Sequence, residues 1–193
     1  MIKFLTTTIG LVLFCAGCAK PTGTPDQCVS SLSIQAESTQ TSSDSTLLGT
    51  GKIGQHFQST KDIKVNAFAI KAEIPGSSPA FFTVSIYKAS LTEILGDTSV
   101  PDKKFNIGPV AANTSKQIIW LELPETYEFK SEFGSSYFVS IEISNTSMKY
   151  SVDTIGSDDA FRKGFREYSG GVWSYVDTTK SLTFGLRGLQ NCN

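Results

Sequence analysis

Few side chains in this sequence have the type and spacing to do chemistry. The single histidine is His56, between Gln55 and Phe57. Nucleophilic catalysis needs an imidazole held by a third group beside its nucleophile, and no G-x-S-x-G elbow occurs in the chain. His56 therefore reads as a strand histidine facing solvent or a loop. Three carboxylates, Asp153, Asp158 and Asp159, flank Gly156. A carboxylate pair roughly 5–10 Å apart suffices for glycoside hydrolysis, and loop oxygens suit Ca²⁺. The spacing is not the D-x-D-x-D-G ladder of an EF-hand loop, so a solvated acidic turn stands beside the calcium site as a reading. No other cofactor is expected. The third group is aromatic. Tyr150, Tyr168, Trp173 and Tyr175 lie near Arg162 and Arg166. Sugar rings present C–H faces that stack on such rings, while guanidinium and carboxylate groups fix the hydroxyls. Ordinary sandwich packing would use the same residues.

The elements that would position this aromatic group are two short strands around Gly170-Gly171. Glycine reaches positive φ without cost, so the pair predicts a tight hairpin turn. Along Gly164–Tyr168, Arg166 and Tyr168 share one face and Phe165 and Glu167 the other. Phe165 is the better core residue, so Arg166 and Tyr168 are expected to point outward. Trp173 and Tyr175, across the turn, would complete a ligand-binding platform of Arg166, Tyr168, Trp173 and Tyr175.

The rest of the chain reads as many short strands. Cys28–Ala36, Gln55–Ser59, Phe105–Ile107 and Ile119–Leu123 alternate apolar and polar residues, as do Tyr137–Ile143, Tyr150–Asp153, Val172–Tyr175 and Leu182–Arg187. Ile63–Ile74 is the longest such run. Its apolar phase slips at Ala67–Phe68, which predicts a bulge or a strand covered on both sides. Phe82–Ile86, after the turn Pro75–Pro79, reads as its partner strand. Glu37–Thr46 and Ser90–Pro101 read as loops. Gly49–Gly54 formally matches G-x-G-x-x-G, but it follows a polar loop and precedes no helical pattern. It reads as a glycine-rich turn rather than a dinucleotide site. No window holds a period near 3.6, and the fold class expected is an all-β antiparallel jelly-roll β-sandwich.

The four cysteines bear on location. Ile9–Ala16 is an apolar run too short to span a bilayer, which takes about 20 residues. With Lys3 before it and small residues after it, it describes an export signal over residues 1–17. Cys15-Ala16-Gly17-Cys18 resembles a bacterial lipobox, in which the last cysteine is lipidated and becomes the first mature residue. Where Cys15 stands the pattern usually has Leu. The alternative is an ordinary signal peptide cut after Ala16 or Gly17. In Gram-negative lipoproteins an Asp after the lipidated cysteine commonly retains the protein at the inner membrane. Ala19 stands there instead and resembles the outer-membrane class. Residues 18–27 form a tether whose prolines and glycine keep it extended, with a reach of roughly 30 Å. Cys28 and Cys192 remain, near the two ends of the mature chain. In an oxidising compartment they are expected to form a disulfide, worth roughly 4–5 kcal/mol in the chain-entropy model. Two buried thiols or a metal pair are the alternatives.

The mature chain is long enough for one domain, 28–193, with a real core. Net charge is -1, so no basic excess exists to hold a phosphate backbone and no nucleic-acid partner is expected. In order, the sequence carries I-G-Q-H-F-Q, F-T-V-S-I-Y, I-I-W-L-E-L, F-G-S-S-Y-F-V-S-I, G-F-R-E-Y-S-G-G-V-W and S-L-T-F-G-L-R-G. This succession, from Gly54 to Gly188, resembles the jelly-roll domains of bacterial cell-surface proteins of the choice-of-anchor type. The resemblance implies a non-catalytic domain, similar in build to carbohydrate-binding jelly rolls. The expectation is a lipid-anchored envelope protein, periplasmic or surface-facing, that binds a glycan or an envelope protein. An envelope component without ligand and a carboxylate-dependent glycoside hydrolase are the alternatives.

Overall fold

The computed structural model describes residues 27–30, 43–47, 51–93, 100–113, 115–125, 129–155 and 159–191. The export signal, Cys15, Cys18, the tether before Gln27, Asp158 and Cys192 lie outside them. Among the described residues there is no helix, and the chain forms fourteen strands. They are β1 (Gln27–Ser30), β2 (Ser43–Leu47), β3 (Lys52–Gln58), β4 (Ile63–Glu73), β5 (Ala80–Lys88), β6 (Lys103–Val110) and β7 (Gln117–Glu122). There follow β8 (Phe129–Ser131), β9 (Ser136–Ser144), β10 (Met148–Thr154), β11 (Arg162–Ser169), β12 (Val172–Trp173), β13 (Lys180–Leu182) and β14 (Phe184–Asn191).

Two antiparallel sheets result. The six-stranded sheet runs β12-β11-β3-β9-β5-β6. The eight-stranded sheet runs β1-β14-β4-β10-β13, with β2 on β10 and with β7 and β8 on β4. From β3 onward the chain crosses repeatedly between the sheets, as in a jelly roll. The inner faces meet in one apolar core. It includes Ile53 and Phe57 of β3, Val84 of β5, Val139 and Ile141 of β9, Phe68 and Ile70 of β4, and Phe184 of β14. Phe57 sits among the rings of Tyr137, Phe161 and Phe184 at 5.3, 5.4 and 5.6 Å. Polar links also join the two sheets. The buried Gln55 Oε1 accepts hydrogen bonds from Leu182 N (2.8 Å) and Ser181 Oγ (3.1 Å), tying β3 to β13.

The phase slip in β4 is a bulge. Ala67 pairs with Arg187 and Val65 with Gly188, so Asn66 is the extra residue. The same strand is also covered on both sides, since Ala67, Phe68, Ala69 and Ile70 are all buried. Other expectations need correction. β5 does not pair with β4, because the turn at Pro75–Pro79 carries the chain into the other sheet. β2 is a strand inside the serine/threonine-rich stretch, paired along β10 from Ser43 to Leu47. Polar residues suit it because hydrogen bonding to β10, not side-chain alternation, makes it a strand. The run Leu182–Arg187 breaks at Thr183 into β13, paired with β10, and β14, paired with β4.

Candidate functional site

The predicted aromatic group maps to the outer face of the six-stranded sheet, and the register sets its neighbours. Three rows cross that face. Tyr168 of β11, Lys52 of β3, Glu142 of β9 and Thr83 of β5 form one. Arg166, Gly54, Ser140 and Ser85 form the next, and Gly164, His56, Phe138 and Tyr87 the third. At the edge, Trp173 of β12 pairs with Tyr168. Gly170 and Gly171 make the tight turn between these strands, with φ of 62° and 88°.

Phe138 is the centre of this face. Its ring lies over Gly54, where a Cβ would come within 2.1 Å of the ring tip. Glycine is required there because the ring occupies the space a side chain would fill. Around Phe138 gather the rings of His56 at 4.6 Å, Trp173 at 4.9 Å and perpendicular, and Tyr87 at 6.0 Å. The Arg166 guanidinium stands 5.9 Å from the same ring centre. Ala89 joins them in a small apolar cluster separate from the main core.

The structure distributes the predicted residues unevenly. Tyr168 and Trp173 are both half-buried and meet edge to face at 5.2 Å, with Lys52 Nζ 4.9 Å from the Tyr168 ring centre. Arg166 lies on the outer face but is not solvent-exposed; it is 3% exposed. The turn at Ser90–Glu93 accounts for this. Arg166 Nη2 donates to the carbonyls of Glu93 (2.9 Å) and Leu91 (3.4 Å). Tyr175 lies beyond the end of β12 and is 91% exposed. Tyr150 leaves the group altogether. It is buried in the core, and its hydroxyl donates to Glu167 at 2.7 Å.

His56 does not face solvent or a loop as expected; it is 1% exposed. Burial, reinforced by the charge of Arg166, pushes its pKa down to about 3, so the ring is neutral at ordinary pH. Among the described residues its Nε2 has no hydrogen-bond partner, and neither does Arg166 Nε. Sequence reasoning missed Phe138 and Tyr87. One signal pointed to them: Phe138 is an aromatic residue at an outward position of an alternating strand.

The acidic group has another partner. Arg162, 5% exposed, places Nη1 3.2 Å from Asp153 and Nε 2.9 Å from Asp159. Asp153 also accepts from Thr183 Oγ1 (2.8 Å), and Asp159 from the amides of Arg162 (2.7 Å) and Phe161 (3.0 Å). The guanidinium supplies between these carboxylates the positive charge a calcium ion would bring. Among the described residues, no group of three or more His, Cys, Asp or Glu gathers as a metal-ligand set.

No family model and no curated protein matches the chain. Among solved structures, a chain of the infectious bursal disease virus Gx strain aligns at a TM-score of 0.28 and 9% identity. That alignment covers 86% of this chain and 40% of the viral one. At that score the likeness carries no functional argument.

Proposed function

We propose that this protein is a lipid-anchored envelope protein whose sandwich binds a glycan, without catalysis, on the outer face of the six-stranded sheet. The half-buried, edge-to-face pair of Tyr168 and Trp173 carries the reading. Such a pair offers apolar ring surface held rigidly by its neighbours. Ser85, Thr83, Glu142 and Lys52 line the same face and can meet hydroxyl groups. The resemblance to choice-of-anchor jelly rolls points the same way. The anchor rests on the lipobox at Cys18, and outer-membrane sorting on Ala19. A Cys28–Cys192 disulfide rests on these being the two cysteines left in the mature chain, near its two ends, with β1, which carries Cys28, paired with the last described strand, β14.

The test of the site is glycan-array binding by the wild type and Trp173→Ala. Binding lost in the variant, with an unchanged circular-dichroism spectrum, supports the site; retention of all binding refutes it. For the anchor, labelled palmitate should enter the wild type and not Cys18→Ser. For the disulfide, thiol titration of the denatured, unreduced mature protein should find no free thiol.

A further inference from the structure

A guanidinium buried in a protein normally meets a counter-ion. Arg166 does not, among the described residues: its partners are two neutral carbonyls, those of Leu91 and Glu93, and the face of Phe138. Its Nε is buried and unpartnered, and so is His56 Nε2. Register places the two residues diagonally on one face. Arg166 is opposite Gly54, and His56 lies two positions along β3. The Phe138 ring fills the space over Gly54, and both side chains lie against it. An unmet guanidinium N–H and an unmet imidazole nitrogen, both against Phe138, describe a site that lacks an anion.

We propose that Arg166 and His56 form the anion subsite of the glycan-binding face and take the carboxylate of an acidic sugar, a uronic acid. The proposal rests on the glycan reading above and names the sugar class. A carboxylate is planar and accepts in its own plane, which suits one guanidinium edge and, in the neutral tautomer that carries its hydrogen on Nε2, the imidazole of His56. Trp173 meets the same Phe138 ring at 4.9 Å, so the platform and the Arg166 guanidinium share that ring as a neighbour. The turn over the subsite is lightly held. Among the described residues its own bonds are Glu93 N to Ser90 O (3.2 Å), Ser90 N to Glu93 Oε2 (3.3 Å) and the hydroxyl pair of Ser90 and Thr92 (3.2 Å), and Thr92 and Glu93 are exposed. The carbonyls of Leu91 and Glu93 are neutral acceptors. A carboxylate is a charged one and displaces them from the guanidinium.

The experiment compares trigalacturonate, its methyl ester and acetate on the mature protein in a Trp120→Phe background. Trp173 fluorescence reports the platform. The single histidine's ring protons, read by NMR, report the subsite. Trigalacturonate should bind at least about tenfold tighter than the ester and shift both signals, and Arg166→Gln should abolish that preference. Arg166→Lys, which keeps the charge and removes Nε, serves as the variant least disturbed in folding and should lose most of it. Equal affinity for acid and ester, unchanged in Arg166→Lys, overturns the subsite and leaves the platform standing. A His56 shift with acetate as large as with trigalacturonate overturns the assignment to a sugar. Binding that survives Trp173→Ala but not Arg166→Gln refutes the platform and keeps the anion site. Asp97 lies outside the described residues; if Asp97→Asn raises affinity for trigalacturonate and acetate alike, the chain supplies its own counter-ion and the proposal fails.

Discussion

Each outer face of the sandwich carries a tryptophan and an arginine, and the two faces use them in opposite ways. On the eight-stranded sheet, Arg187 of β14 lies 4.8 Å from the Trp120 ring centre and pairs through Nη2 with both carboxylate oxygens of Glu122. All three groups reach solvent. On the six-stranded sheet, Arg166 and Trp173 both contact Phe138, and among the described residues the buried guanidinium meets carbonyls and no carboxylate. The cluster on the first face has its charge matched by its own neighbours. The second holds a cation, a neutral histidine and two polar atoms unmet among the described residues. A surface that completes its own interactions is finished by folding, while one that leaves buried groups unmet is disposed to take a ligand.

The comparison can be broken most forcefully at Phe138. Phe138→Ala should destabilise the fold by about 3–5 kcal/mol in urea unfolding, as for a core phenylalanine. A loss under about 1 kcal/mol would mean that the outer cluster is mere surface. The next effect is in pH. The folded-state pKa of His56 is depressed to about 3 from 6.5, so the fold favours the neutral ring. That stabilisation is fully present above about pH 6.5 and is lost as pH falls toward 3, with about 3 kcal/mol gone by pH 4. NMR should show no titration of the imidazole between pH 8 and 4, and His56→Gln should lose less stability than the wild type over the same range. A midpoint near 6.5 would contradict the burial. The smallest effect separates the two arginines. Arg166→Met replaces an uncompensated buried cation with an apolar chain of similar volume and should leave stability unchanged or raise it by about 1 kcal/mol. Arg187→Met removes an exposed pair and a cation–π contact and should cost about 0.5–1 kcal/mol. Thermal melts of both variants read the sign; a large loss in Arg166→Met alone would assign Arg166 to holding the turn at Ser90–Glu93.

Alternation made most of the strands legible, because one face of each is buried and the period of two survives in sequence. β9 shows this well, with Tyr137, Val139, Ile141 and Ile143 inward. Even the bulge at Asn66 left its mark as a phase slip. Pairing was not legible. Ile63–Ile74 and Phe82–Ile86 look like neighbours, yet they lie in different sheets, since a turn sequence does not tell a hairpin from a crossover. β8 is three residues long and left no alternation to detect. At the candidate site, the hairpin and the outward side of Tyr168 and Trp173 could be argued from spacing. The burial of Arg166 and His56 could not, because alternation says which face a residue occupies and not what lies over that face. The acidic group misleads for a related reason. Asp153 and Asp159 are brought together by Arg162, which sequence proximity places nearby without revealing that it lies between them.

The place of β4 in the eight-stranded sheet has a consequence for the order of folding. It carries β7 and β8 along one side and β14 along the other, and β14 is the last described strand. Among the described residues β1 too waits for β14, the strand with which it pairs. A chain emerging from its N-terminus thus makes the middle strand of a sheet long before the strand that closes it. Loop-closure entropy must be overcome across most of the described residues before these contacts form, which slows folding. Until then β4, with its run of four residues destined for burial from Ala67 to Ile70, stays an open template for wrong pairing. For a polypeptide of this topology the exposed edges of β4 are the part most in need of shielding until β14 arrives.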